Sequence, residues 1–189
     1  MARNKRDIDR QSKQDEIVAV ARRLFLEEGY EAASMARVAR EAGVAANTLY
    51  WYFTDKDALL IAVLNGLVLE ALAAHAGVQA MPLKEQLLWL IARFEQAHRL
   101  VLTVHARLEA SESVRTWHDQ FHGMLEGMVI GQLTARGMAA EEATITATAG
   151  MFIVEGLLSH PHTARQREQV IAWLAGRSDD AKLITLQGN

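Results

Sequence analysis

Apolar residues recur at helical spacing along almost the whole chain. Between Gln14 and Glu28, Ile17, Val18, Ala21, Leu24 and Phe25 fall at i, i+1, i+4, i+7 and i+8, with charged residues on the opposite side. That pattern predicts an amphipathic helix, closed by Gly29 as a left-handed cap. Ser34 is placed to cap a second helix, Met35–Ala42, which turns Met35, Val38, Ala39 and Ala42 inward. Gly43 breaks that helix, and a short third one is predicted from Ala45 or Ala46 to Phe53. The polar run Thr54-Asp55-Lys56-Asp57 then opens a long fourth helix reaching about Ala76. Beyond Gly77, with Pro82 suited to a first helical turn, further helices are predicted over Leu83–Ala97, Leu100–Ala110, Ser113–Ala135 and Glu141–Ser159. Pro161 forces a break before a last helix, Ala164–Ala175. The expected fold class is all-α, with about nine helices.

Composition narrows the function classes. Half of the 189 residues are hydrophobic, enough for a core of ordinary size. There is no cysteine, which excludes disulfides, thiolate–zinc sites and thiol nucleophiles and suits a reducing cytoplasm. The N-terminus lacks the apolar run of a signal peptide. The apolar stretch around Ala58–Ala76 is interrupted by Asn65, Glu70 and His75, so no membrane span is expected. A cytoplasmic location is expected. The net charge of −3 makes no global case for nucleic acid. Residues 1–58 balance ten Lys/Arg against ten Asp/Glu, but Arg3, Lys5, Arg6, Arg10 and Lys13 face only Asp7 and Asp9 in the first thirteen. Residues 1–13 therefore read as a flexible basic arm for DNA backbone or minor groove, or else as a solvated, frayed terminus.

The three short helices with a glycine turn between the second and third form a helix-turn-helix. Ala39 lets the two helices cross closely, Gly43 supplies a left-handed turn, and Val44 plugs the core between them. The third helix then stands proud, able to enter a major groove about 12 Å wide.

The ordered set Gly29-Tyr30, Ser34-Met35-Ala36-Arg37-Val38-Ala39-Arg40-Glu41-Ala42-Gly43-Val44, Thr48-Leu49-Tyr50-Trp51-Tyr52-Phe53, Lys56 and Leu59 resembles the N-terminal domain of the tetracycline-repressor-like (TetR/AcrR) regulators, over residues 15–60. The resemblance implies a DNA site. Ser34 would cap the second helix and donate to a phosphate. Ala46, Asn47 and Thr48 would lie at the exposed start of the recognition helix. Asn47 suits an adenine edge, and Thr48 offers a hydroxyl and a methyl. Tyr50, Trp51 and Tyr52 would contact phosphate or pack along the groove. Lys56 would hold a phosphate without regard to sequence. Trp51 is alternatively half-buried against the first helix, and the ring of Tyr50 turned into the core. Position 45 is often Ser in such regulators and position 46 often basic or polar; here they are Ala45 and Ala46, so readout rests on fewer polar groups, with thymine–methyl contacts open to the alanines.

The resemblance further implies a C-terminal helical bundle for ligand binding and dimerisation. The expected division is a basic arm (1–13), a helix-turn-helix domain (14–58), an effector and dimer domain (59–176) and a tail (177–189). Small and apolar residues on the last two helices suggest a dimer surface of Ala149, Gly150, Ile153, Gly156, Leu157, Val170, Ile171, Trp173 and Leu174, which are otherwise intradomain core. Trp89, Phe94, His98, Leu102, Trp117, Phe121, Met124, Met128 and Met151 offer deformable apolar surface for a pocket, or plain core. His118 and His122 stand at i, i+4 with Glu126 a turn further, a spacing for a divalent ion without a clear third ligand, so no metal and no other cofactor is expected. No activated nucleophile, phosphate loop or acid/base pair is recognisable, and an enzyme is not expected. The reading is a homodimeric repressor that leaves a palindromic operator when a small apolar or amphipathic ligand binds. The alternatives are an effector-independent regulator or activator, or a metal-binding helical bundle.

Overall fold

Alanine, leucine, glutamate and arginine dominate the predicted segments, and each becomes a helix in the computed structural model, which describes the backbone of residues 5–186 and the side chains of 9–176. Among the described residues the order is α1 (Lys5–Glu27), α2 (Met35–Glu41), α3 (Ala46–Tyr52), α4 (Lys56–His75), α5 (Leu83–Gln96), α6 (His98–Arg107), α7 (Glu112–Ala135), α8 (Ala140–Ser159) and α9 (Ala164–Leu186), with no strand.

Helix starts follow local chemistry. Ser34 Oγ accepts the Arg37 N–H at 3.2 Å, Asp55 Oδ1 accepts that of Ala58 at 2.8 Å, and Ser111 Oγ that of Val114 at 3.3 Å. Thr163 and Gln166 exchange side-chain-to-backbone bonds at the start of α9, a capping box the sequence reading passed over. Gly43 sits at φ +65° between α2 and α3, a left-handed turn that a side chain would strain.

The chain divides into two compact units. The first comprises residues 1–73 and 99–117. Its core gathers Ile17, Ala21, Leu24 and Phe25 of α1, Val38 and Ala39 of α2, Leu49 of α3 and Leu59, Leu60, Val63 and Leu64 of α4. Leu100 and Val104 of α6 and Val114 of α7 complete it. This differs from the expected boundary at residue 58: the apolar stripe of α6 is buried with the helix-turn-helix. The basic arm also differs, because α1 begins at Lys5 and takes in residues 5–13; Met1–Asn4 lie outside the described residues. Likewise α9 continues to Leu186 through most of the expected tail, and Gln187–Asn189 lie outside the described residues.

By length and composition α4 is apolar enough to cross a membrane. Here its Leu59, Leu60, Val63 and Leu64 are buried in the core, while Glu70 is paired with Arg22 and Asn65 accepts the Trp117 indole N–H at 2.8 Å.

The second unit comprises residues 74–98 and 118–189, with α5 packed on α8 and α9. Gln86 is buried and donates to the carbonyls of Gln79 and Met81, which fixes the turn before α5. On α7, Gly127 is exposed in mid-helix, and a Cβ added there meets nothing within 4 Å. Gly127→Ala should therefore raise the unfolding free energy by roughly 0.5–1 kcal/mol in chemical denaturation; a loss would show that this face is covered.

Candidate nucleic-acid interface

The recognition face follows from where α3 is pinned. Leu49 and Phe53 are four residues apart and buried, so the opposite side, bearing Ala46, Asn47, Tyr50 and Trp51, faces outward. Thr48 is exposed beside them and Tyr52 is half-buried. Ala45 occupies the N-cap position and offers no side-chain bond. Tyr50 is 53% and Trp51 61% exposed, so neither ring lies in the core, contrary to the packed alternatives. Trp51 stands edge-on to Tyr52 with centroids 4.9 Å apart.

One partner of this face was missed in the sequence. The Arg10 guanidinium lies 4.4 Å over the Trp51 ring, a cation–π contact of about 0.5–1 kcal/mol at an exposed site. It ties the first turns of α1 to the recognition helix and leaves a positive charge beside it. The arginines of α2 are used differently. Arg37 pairs with Glu28 and Glu41, and Arg23 also reaches Glu41 at 2.5 Å. These pairs brace α1 against α2 and neutralise the charge of both arginines.

Lys56, first residue of α4, lies 4.1 Å over the Tyr30 ring. Burial lowers its pKa, the Glu31 charge acts against that, and nearby Arg107 adds to the lowering. Beneath it, the Tyr30 hydroxyl donates to Asp57 Oδ1 at 2.5 Å, and Arg107 of α6 donates to Asp57 Oδ2 at 2.7 Å and closes on Oδ1 at 2.6 Å. Burial pushes the Asp57 carboxyl up, but the bonds from Arg107, Tyr30 and Ser111 outweigh it and hold the carboxyl below its ordinary range. Burial, helped by Asp57, pushes the Tyr30 phenol up. The lysine thus lies over a hydrogen-bonded base, four residues beyond the end of α3.

Residues 17–63 match the family model for bacterial regulatory proteins of the tetR family. The N-terminal domain belongs to the TetR family. Residues 17–63 of this chain carry the helix-turn-helix that the family model describes. The HTH-type transcriptional regulator HbdR of Aromatoleum sp. (strain CIB) is 34% identical over 58 residues, 31% of this chain and 25% of that protein's length. A transcriptional regulator from Saccharomonospora viridis in complex with choline aligns at a TM-score of 0.68 and 16% identity, covering 86% of this chain and 94% of that one. A regulator of Mesorhizobium loti MAFF303099 described as TetR-family gives 0.67 and 24%, covering 93% and 96%. At those identities the likeness is one of fold.

In the second unit, as in the first, the expected residues separate. Phe94 and Phe121 meet edge-to-face at 6.2 Å. Trp89 instead contacts His75 at 6.0 Å and carries Arg93 over its ring at 5.3 Å. Met151 is half-buried; Met124, Met128, His98 and Leu102 are exposed. Leu102 and Trp117 belong to the first unit. For the expected dimer surface, Ile171 and Leu174 are a correction: they are buried in the core of the second unit, whereas Gly150 is half-buried. Ile153, Gly156, Leu157 and Val170 are half-buried, while Ala149 and Trp173 are exposed. Among the described residues, the large exposed hydrophobic side chains of these helices are Ile145 (64%), Phe152 (68%) and Trp173 (57%).

Proposed function

We propose that the protein is a homodimeric repressor that sets α3 of each copy in successive major grooves of a palindromic operator and leaves the DNA when a small apolar or amphipathic ligand binds the second unit. The observation that carries the DNA part is the outward face of α3, with Asn47, Thr48, Tyr50 and Trp51 exposed between Arg10 and Lys56. Asn47 reads a base edge, and the aromatic residues, Ser34, Arg10 and Lys56 position the backbone. Ala45 and Ala46 leave room for close approach.

The dimer reading rests on α8 and α9. Ile145, Ala149 and Phe152 recur at i, i+4 and i+7 on one side of α8 and are exposed, as is Trp173 of α9. Exposed aromatic and aliphatic residues of that size are the surface a second copy would cover. Ligand binding draws support from the aromatic pair Phe94 and Phe121 and from the choline held by the S. viridis regulator. A cytoplasmic, nucleoid-associated location accords with this role.

Two substitutions separate reading from holding. Asn47→Ala should cost about 1–3 kcal/mol of operator affinity and relax preference at one base pair per half-site. Lys56→Ala should weaken binding evenly across sequences and lower the salt slope by about 1. Both are measured by titrating labelled duplexes at several salt concentrations. Unchanged affinity in both variants would remove α3 and Lys56 from the interface.

A further inference from the structure

α7 carries His118 and His122 four residues apart, on one side of the helix. Their rings lie 4.1 Å apart between centroids, tilted by 33°. The position in register after them is Glu126, which is engaged with the Thr148 hydroxyl. The third donor comes from another helix. Glu155 of α8 sets Oε1 3.3 Å from His122 Nε2, and its carboxylate lies within 4.8 Å of a His118 ring nitrogen. On the His118 ring, Nδ1 lies 3.2 Å from Asp119 Oδ1. Both histidines and Glu155 are half-buried, with Phe121 edge-on to His122 at 5.8 Å.

The geometry points to a divalent transition-metal site in the second unit, with His118, His122 and Glu155 as ligands. Two imidazoles and a carboxylate are the donor set of borderline ions such as Zn²⁺, Co²⁺ and Ni²⁺. In a tetrahedral site with bonds of roughly 2.0–2.2 Å, neighbouring donor atoms stand about 3.3 Å apart. The His122–Glu155 pair already has that separation, and a His118 ring nitrogen lies within 4.8 Å of the same carboxylate. The Asp119–His118 contact is the outer carboxylate that orients a ligating imidazole and raises its basicity. Three protein donors leave a fourth position for water or an anionic group of a ligand. The ion would tie α7 to α8.

The test uses the full chain stripped of metal with a chelator, titrated with Co²⁺ by its d–d absorption and with Zn²⁺ by calorimetry. One ion per chain is expected, with a rise in thermal midpoint that grows with free metal. His122→Gln and Glu155→Gln should each weaken binding by roughly tenfold or more, and Asp119→Asn by less. The double variant His160→Ala/His162→Ala, which removes the two histidines flanking Pro161, should bind as the parent does. Circular dichroism and the metal-free melting midpoint show that each variant is folded. Absence of binding by the parent, or binding lost with His160 and His162 and kept in His122→Gln and Glu155→Gln, overturns the site. DNA plays no part in these readouts, so their failure leaves the regulator reading untouched.

Discussion

Phe152→Asp is expected to turn a dimer into monomers and to weaken binding to a two-half-site operator by at least about a hundredfold. Phe152 is 68% exposed in the middle of α8, flanked on the same side by Ile145 and Ala149. In a dimer that ring is covered by the partner, and an aspartate would place a carboxylate in the desolvated centre of the contact. Losing the dimer removes the tethering of the second half-site, which contributes on the order of 10²–10⁴ in overall affinity. Sedimentation velocity reads the first effect and operator titration the second. Binding to a single half-site should be little changed, because α3 is far from Phe152 in sequence and carries its own anchors, Leu49 and Phe53. A variant that stays dimeric would move the interface off α8.

Asp57→Ala has the second largest expected effect, on stability. The carboxylate accepts from Tyr30 and from Arg107, and all three side chains are at least partly buried. Removing it strands a phenol and a guanidinium, and hydrogen bonds to charged groups contribute about 1.5–3 kcal/mol. Denaturant unfolding should show a loss of that size, and a double-mutant cycle with Arg107→Ala should show clear non-additivity. Simple additivity would mean that the two groups do not act as a pair. The pH dependence follows from the depressed carboxyl. Its folded pKa lies below the unfolded value, so its contribution is fully present above the ordinary aspartate range near pH 4 and is lost as the pH falls through the folded value. The variant should accordingly have a shallower acid limb in its stability profile.

The helix-turn-helix half was legible because its signals are local. Gly43, Ala39, Leu49 and Phe53 fix a turn, a crossing and an anchored helix within fifteen residues, and the exposed positions of α3 follow from the buried ones. What escaped depends on distant packing. Arg107 meets Asp57 across fifty positions, and nothing in either sequence neighbourhood announces it. Leu100, Val104 and Val114 had apolar spacing suited to any bundle, so their membership of the first core could not be read. Arg10 did carry a signal: with Ile17 and Leu24 it falls at seven-residue spacing, so the α1 stripe that enters the core continues outward to the recognition helix. On α9 the apolar residues Ile171, Trp173 and Leu174 were grouped together; period alone does not say which side turns inward, and packing buries Ile171 and Leu174 while exposing Trp173. The histidine pair shows the same limit, since the carboxylate beside His122 comes from α8.

If α3 reads a sequence through Asn47 in two symmetric copies, that preference appears in the duplexes the chain selects. Selection of bound duplexes from a random pool by the purified chain at low salt tests it most directly. The parent protein should enrich two inverted half-sites with centres one helical turn, roughly 34–36 Å, or a multiple of it apart, and Asn47→Ala should lose preference at one symmetric pair of positions. Recovery of a pool with no enriched sequence, or of the same sequence by both proteins, would contradict it.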